Sequence, residues 1–323
     1  MKLFAVGSQR KTMTEAGLER WAAWIGRLAK AALLEEVYTK PKPGLVDPLS
    51  RGAHQDMGLA EFVRSAEALE PYFREMARMG MEGAKDREGL FPQIRQVGIR
   101  AEKAMYEATG GINTHKGAVF TLGILCASSG ACLARYGKVS LSDLTGFAQG
   151  MTRRILLGEL CTMLKREDDL LATNGQRNLM RYGALGVRGE AAYGYPSVTE
   201  LALPVLAQGL REKRDWNSIK LQVLFTLMSQ VEDGNVLSRT GKRGLEEVQR
   251  IAGAFLKAGG AYQERVVDQL KKMDRYFTRK NYSNGGCADL LAAAIFCAAV
   301  TAARVIPTGG MADGFPAEGM TSS

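Results

Sequence analysis

The sequence predicts an all-α protein: one large multi-helix, bundle-like domain whose site is formed by the loops between helices. Three observations carry that prediction. Alanine- and leucine-rich stretches far outnumber runs of Val, Ile and Thr, and aromatics make up only 7% of the chain, a composition that suits helix better than sheet. Apolar residues recur at i, i+3, i+4 spacing in one segment after another, which is the period of a one-sided helix. Residues 116–135 are apolar almost throughout, a run too long for a strand and therefore a buried helix.

The first helix spans 15–38, with its stripe at Leu18, Trp21, Ala22, Ile25, Leu28, Ala29, Ala32 and Leu33, and Pro41 and Pro43 end it. A second pattern starts near Leu59 and runs through Phe62, Val63, Ala66 and Leu69, where Pro71 kinks it or opens a new helix. The next covers 92–109 and stops at Gly110 and Gly111. After the buried helix at 116–135, a helix over 140–164 opens on Ser140 and Asp143, spaced as a capping pair. Residues 165–196 are less regular, and helices follow at 198–209, 216–230, 243–258, 261–279 and 286–303. The chain divides into an N-terminal extension (1–14), the helical domain (15–306) and a mobile tail rich in Gly, Pro, Ser and Thr (307–323).

No run of about 18 uninterrupted apolar residues, the length that spans a bilayer, is present. The nearest, 288–303, carries Asp289 and reads as a core helix. With no export signal at the N-terminus, the expected compartment is the cytoplasm and the expected partners exclude membrane. The five cysteines lack metal-type spacing and fit reduced, buried thiols. The net charge of +9 is spread along the chain without a basic arm or interleaved aromatics, so a phosphate-rich small molecule fits better than nucleic acid.

Five glycine-marked polar segments punctuate this apolar chain. The first, 38–57, holds Lys40, Lys42, Arg51 and His54 for phosphates and Asp47 and Asp56 for a metal or a proton; a solvated turn with capping aspartates would read alike. The second joins Gly110, Gly111, Asn113, Thr114, His115 and Lys116 to the start of the buried helix. Glycines there let backbone N–H groups approach an anion, although a tight turn with Thr114 as N-cap has the same spelling. The lysine order is not that of a Walker A loop. In the third, Arg188 and Glu190 flank Gly189; in the fourth, Asp233, Asn235 and Arg239 follow an apolar helix. The fifth sets Gly285 and Gly286 before the last apolar helix, with Asp289 in its first turn, where a carboxylate complements the dipole or needs a partner.

In this order, the segments PKPGLVD, RGAHQDM, GGINTHKGAVFTLGILCA, GVRGEA and NGGCADLLA closely resemble the triphosphoribosyl-dephospho-CoA synthase family over roughly 27–300. Where that family usually has a threonine between an acid and an asparagine, this chain has Gly234, and its last loop has Asn284 and Cys287 in place of Pro and Ser. The resemblance implies an all-helical catalytic domain and a pentosyltransferase. Such an enzyme takes ATP and 3'-dephospho-CoA, attaches the ribosyl triphosphate to the 2'-hydroxyl and releases adenine. The product would reach an acyl carrier protein of citrate lyase or malonate decarboxylase through a separate transferase. The reaction passes through an oxocarbenium-like state and calls for carboxylates, a proton donor and Mg²⁺.

On that footing Asp47, Asp56, Asp233 and Asp289 are the expected metal ligands, and Asp47, Asp56, Asp233 and Glu190 supply the acid or base. His54 or His115 would protonate adenine. Lys42, Arg51, Lys116, Arg188 and Arg239, with Asn113, Thr114, Asn235 and the backbone at Gly110, Gly111, Gly285 and Gly286, would bind substrate. Exposed apolar helix faces could serve a homodimer. A Mg²⁺-dependent helical phosphohydrolase acting on nucleotides or ADP-ribose, or a nucleotide-binding protein without turnover, would use similar residues.

Overall fold

The computed structural model describes residues 14–164 and 173–302; the tail at 307–323 and all but Thr14 of the N-terminal extension lie outside them. Among the described residues there are twelve α-helices and no strands: α1 Glu15–Val37, α2 Leu59–Glu82, α3 Arg87–Ala108, α4 Lys116–Tyr136, α5 Leu141–Leu164, α6 Asn174–Tyr182, α7 Gly186–Ala192, α8 Leu203–Arg211, α9 Trp216–Gln230, α10 Gly234–Lys257, α11 Val266–Lys280 and α12 Gly285–Ala302. The all-α fold read from the sequence is the fold observed.

Several boundaries differ, each for a local reason. Helix α2 runs straight through Pro71. The proline sits on its exposed side, while the opposite face is buried by α1 and α4, and that packing outweighs the roughly 3 kcal/mol cost of an interior proline. Helix α3 starts five residues before the expected 92, because the Asp86 carboxylate accepts the Gly89 N–H at 2.9 Å and caps it. Helix α5 begins as its capping pair predicts, with Ser140 Oγ accepting the Asp143 N–H at 3.2 Å. The less regular 165–196 stretch contains α6 and α7, too short for a periodic signal. The segment expected as helix at 198–209 is a π-helical turn, Ser197–Ala202, leading into α8. Helix α10 begins nine residues earlier than expected, capped by Asp233, and breaks at Gly241, whose φ of 69° no helix contains. Helix α11 starts late because Gly260–Tyr262 forms a 3₁₀ turn, tied to α9 where the Ala261 N–H donates to Gln222 Oε1 at 2.8 Å.

Helices α4 and α12 form the centre. Residues 118–119 and 121–133 of α4 are all buried, as is nearly all of α12 beyond Asp289. Both are long and apolar enough to cross a membrane by composition, yet here they are mostly enclosed by the other helices. Close approach is built from small residues. A Cβ at Gly80 of α2 would collide with the Ala127 carbonyl of α4, and one at Gly130 of α4 would collide with the Ala77 carbonyl of α2. Because the obstacle in each case is backbone, it cannot rotate away. Gly80→Ala is expected to destabilise the protein by about 3 kcal/mol, the upper end of ordinary overpacking, read as a lowered midpoint in denaturant unfolding.

The helix directions place the site. Ser65 and Gly80 of α2 lie against His115 and Ala127 beside and within α4, so these two helices run parallel. Gly117 lies against Asp289, and Cys126 lies near Cys297, so α12 runs parallel to α4. Helix α1 is antiparallel to α2, with Glu19 meeting Arg74 and Arg78 and Lys30 meeting Glu70. Asp233, at the start of α10, meets the start of α12. The N-termini of α2, α4, α10 and α12 and the C-terminus of α1 therefore share one end of the molecule.

Candidate active site at the shared helix ends

An end of this kind is electropositive from the backbone alone, because each N-terminus carries unpaired N–H groups and the positive pole of its dipole. Four of the five polar segments meet there. Segment 38–57 is pinned at both ends. Asn217 holds Lys40 by its N–H at 2.9 Å and its carbonyl at 2.6 Å, and Arg239 Nη1 donates to the Ala53 carbonyl at 3.0 Å. Gly44 lies against the Tyr282 carbonyl with φ of 72°, where any side chain would collide.

Inside this segment, Asp47 is a structural cap. Its Oδ2 accepts the Lys42 N–H at 2.6 Å and its Oδ1 accepts the N–H groups of Leu49 at 2.6 Å and Ser50 at 2.9 Å. Lys42 is just 1% exposed, and its ammonium is spent on the carboxylate and carbonyl of Glu36. Next to this pair stands a second one: Lys220 Nζ donates to Glu35 Oε2 at 2.6 Å, and Trp216 Nε1 donates to the same oxygen at 2.8 Å. Lys42 is thus not a free phosphate ligand. The buried Glu36 was legible as an acid at i+3 and i+4 from Leu33 and Ala32 on the apolar face of α1; its partner Lys42, six residues on, was read as a phosphate contact instead.

Asp233 is likewise consumed by backbone. Its Oδ1 accepts from Asn235 N at 2.8 Å and Val236 N at 3.2 Å, and its Oδ2 accepts from Cys287 N at 2.8 Å, stitching α10 to α12. Gly285 and Gly286 have no room for side chains because Asn235 and Asp233 press on them. Asn178 Nδ2, from α6, donates to the Gly234 carbonyl at 2.8 Å, fastening the position where the glycine replaces threonine.

Asp289 differs from all of these. Its carboxylate rests against Gly117, where a Cβ would collide with Oδ2, and it makes no hydrogen bond or ion pair among the described residues. Burial, with Glu36 and Asp233 nearby, drives its carboxyl far above the usual range. A slice of the residue remains open to solvent, so an unpartnered carboxyl faces the space between the helix ends.

The expected four-aspartate metal cage is not built. Among the described residues no group of three or more His, Cys, Asp or Glu side chains is placed to hold a metal ion, since Asp47 and Asp233 are committed to backbone N–H groups. Asp289 and the exposed Asp56 are the only members of that set with free oxygens.

A model of the family described as ATP:dephospho-CoA triphosphoribosyl transferase matches residues 22–307. The chain belongs to this family. It is 40% identical over 276 residues to a Lactiplantibacillus plantarum protein called "Probable 2-(5''-triphosphoribosyl)-3'-dephosphocoenzyme-A synthase", covering 83% of this chain and 94% of that one. A Vibrio cholerae protein of the same name is 37% identical over 270 residues, covering 83% and 85% of the two chains. Protein CitXG of Leuconostoc mesenteroides is 37% identical over 272 residues; the match takes in 84% of this chain and 57% of that longer protein.

In this triphosphoribosyl transferase family member the remaining expected residues divide by helix face. Lys116 turns away to pair with Glu102 of α3 at 3.0 Å. Arg188 reaches Glu159 of α5 at 4.0 Å, whereas Glu190, two residues on, points elsewhere and accepts the Ser197 N–H at 3.2 Å and the Ser197 hydroxyl. Glu190 is thus committed to Ser197, while Glu159, which Arg188 approaches, is already held by Arg95 at 2.5 Å. Gly110 and Gly111 take positive φ in an exposed turn with open space around them, so the close backbone approach that marks Gly285 and Gly286 is missing. Thr114 is not the N-cap of α4; His115 is, Asn113 Oδ1 accepts the Lys116 N–H at 3.2 Å, and Thr114 Oγ1 is buried without a partner. Arg51 and Asp56 stay exposed at the mouth, and Asn235 overhangs Gly285.

Neither histidine is placed as a proton donor at neutral pH. The guanidinium of Arg239 can only donate, so His54 Nδ1 accepts from it at 3.3 Å and Nε2 carries the proton given to Ser283 Oγ at 2.9 Å. Burial and Arg239 push His54 down to about 4. His115, bonded to Ser65 through Nδ1 at 2.7 Å and set edge-on to Phe62, is pushed down by burial and Lys42 to about 3. The adenine-release rate should therefore show no histidine inflection between about pH 6 and 8. Both folded-state values lie below the unfolded one near 6.5, so stability is complete above that pH and drains away as pH falls toward about 4. Melting temperatures across pH 4 to 8, in the protein and in His54→Gln, check this.

Proposed function

We propose that this chain transfers the 5-triphosphoribosyl group of ATP to the 2'-hydroxyl of 3'-dephospho-CoA and releases adenine. The observation that carries the reading is the unpartnered Asp289 carboxyl at the meeting point of four helix N-termini. The helix ends and Arg51 take the triphosphate, and Arg239, held on Ala53, Asn281 and His54, adds positive charge beside it. Asp289, whose carboxyl burial pushes well above its ordinary range, gives its proton to adenine as the bond between the anomeric carbon and N9 breaks and the base takes the electron pair. The 2'-hydroxyl oxygen bonds to the oxocarbenium-like carbon, and its proton passes to the exposed Asp56; exchange with solvent restores both carboxyls. Mg²⁺ would accompany the triphosphate and supply charge neutralisation; with Asp289 acting as the acid, the exposed Asp56 is the carboxylate of the expected set left to meet it. In this reading the enzyme works in the cytoplasm, with no membrane or nucleic acid, and its product passes to a separate transferase that loads an acyl carrier protein.

The test is to incubate the protein with ATP, Mg²⁺ and dephospho-CoA and separate bases from nucleotides. Adenine whose appearance depends on dephospho-CoA supports the reading. Release of phosphate or ADP in its place sinks it in favour of a phosphohydrolase, and tight nucleotide binding without any product points to a non-catalytic role.

A further inference from the structure

Buried polar atoms in folded proteins are almost always hydrogen-bonded, and an amide left without partners costs on the order of 1–3 kcal/mol. Asn284 is 0% exposed, and neither its Nδ2 nor its Oδ1 has a partner. His115 Nε2 and Thr114 Oγ1 are buried and unpartnered as well. These atoms are not scattered. His115 is the N-cap of α4, Asn284 directly precedes the first residue of α12, and the two helices start side by side where Gly117 meets Asp289.

The chemistry of the orphans selects a ligand. Phosphate would present acceptors only and would leave Oδ1 facing a negative charge. The Asn284 amide has one acceptor and two donors, and it is satisfied by a flat neutral edge that offers a donor and an acceptor side by side. The 6-amino group and adjacent ring nitrogen of adenine form such an edge, and asparagine pairs with adenine in this two-bonded way elsewhere. His115, its imidazole fixed by Ser65 at the start of α4, adds a third unpartnered polar atom, Nε2.

We propose that Asn284, at the same helix-start end as His115 Nε2, reads the hydrogen-bonding edge of an adenine base. The inference rests on the functional reading above and deepens it, since ATP and dephospho-CoA both carry adenine. It makes Asn284 a specificity-determining residue and places base recognition at the α4 and α12 starts, apart from the phosphate-binding mouth at Arg51 and Arg239.

The experiment compares each substrate with its counterpart lacking the 6-amino group: purine riboside triphosphate against ATP, and the purine analogue of dephospho-CoA against dephospho-CoA. In the wild type, loss of the amino group should lower kcat/KM about tenfold, the effect of one hydrogen bond, in the arm whose adenine sits on Asn284. In Asn284→Ala that preference should shrink to within about twofold. Equal use of amino and des-amino substrates by the wild type in both arms, or an undiminished preference in the variant, overturns the proposal. Should Asn284→Ala not fold, Asn284→Ser and the wild-type comparison decide. If the wild type does not turn over at all, the functional reading fails separately, and the same amino-group preference is read from calorimetric Kd values for the two triphosphates.

Discussion

Asp289→Asn is expected to cut adenine release by about 10²–10⁴-fold, the usual contribution of a positioned general acid, while making the folded protein more stable at neutral pH. The two effects come from one cause. Burial near Glu36 and Asp233 raises the carboxyl well above its ordinary value, so in the folded state it resists losing the proton that it loses readily when unfolded. A raised folded value means that stability is complete below the unfolded value of about 3.9 and is lost as pH climbs through the folded one. Asparagine keeps the shape without that liability. Its melting temperature should exceed that of the parent at pH 7, and the gap should close as pH falls toward 4. A variant that keeps full turnover, or that loses stability at pH 7, would contradict the role given to Asp289.

The largest effect on stability is expected from Lys42→Met. The ammonium is buried with its carbonyl and carboxylate partners on Glu36, and its removal strands a charged group in the interior. Breaking one side of a buried pair costs about 3–5 kcal/mol. Replacing both sides, as in Lys42→Met with Glu36→Leu, should recover most of that loss, since the attraction of a buried pair is largely offset by desolvation. Denaturant titrations of the two singles and the double give the coupling directly. Additive losses would show that the pair is not a unit. The neighbouring Glu35 and Lys220 pair should remain intact in these variants, which the Trp216 fluorescence can follow, because its indole N–H donates to Glu35 at 2.8 Å.

The fold was legible because the helices that matter most are long and one-sided or wholly apolar; α9 falls at the expected residues and α4 and α12 within one. The site was legible only as a set of segments. Sequence spacing collected Asp47, Asp56, Asp233 and Asp289 as equivalent acids, but hydrogen bonds from Lys42, Leu49, Ser50, Asn235, Val236 and Cys287 turn two of them into caps. A cap and a reactive carboxylate have the same letter, and what separates them is where the backbone N–H groups end up in space. The same holds for Lys116, whose charge is met by Glu102, 14 residues earlier on α3. Asn284 carried no periodic signal at all, being a polar residue beside an apolar run.

The Gly80 and Gly130 contacts between α2 and α4 have a bearing on how this protein can change over generations. Helix α4 runs from that seam to the Gly117 contact with Asp289, so a substitution that widened the seam would tilt the wall of the site as well as loosen the interior. A library selected for heat resistance and then screened for turnover should collect its harmless gains on α3, α8 and α11, whose outer faces touch neither seam nor site. Along α2 and α4 the two selections should purge nearly the same substitutions.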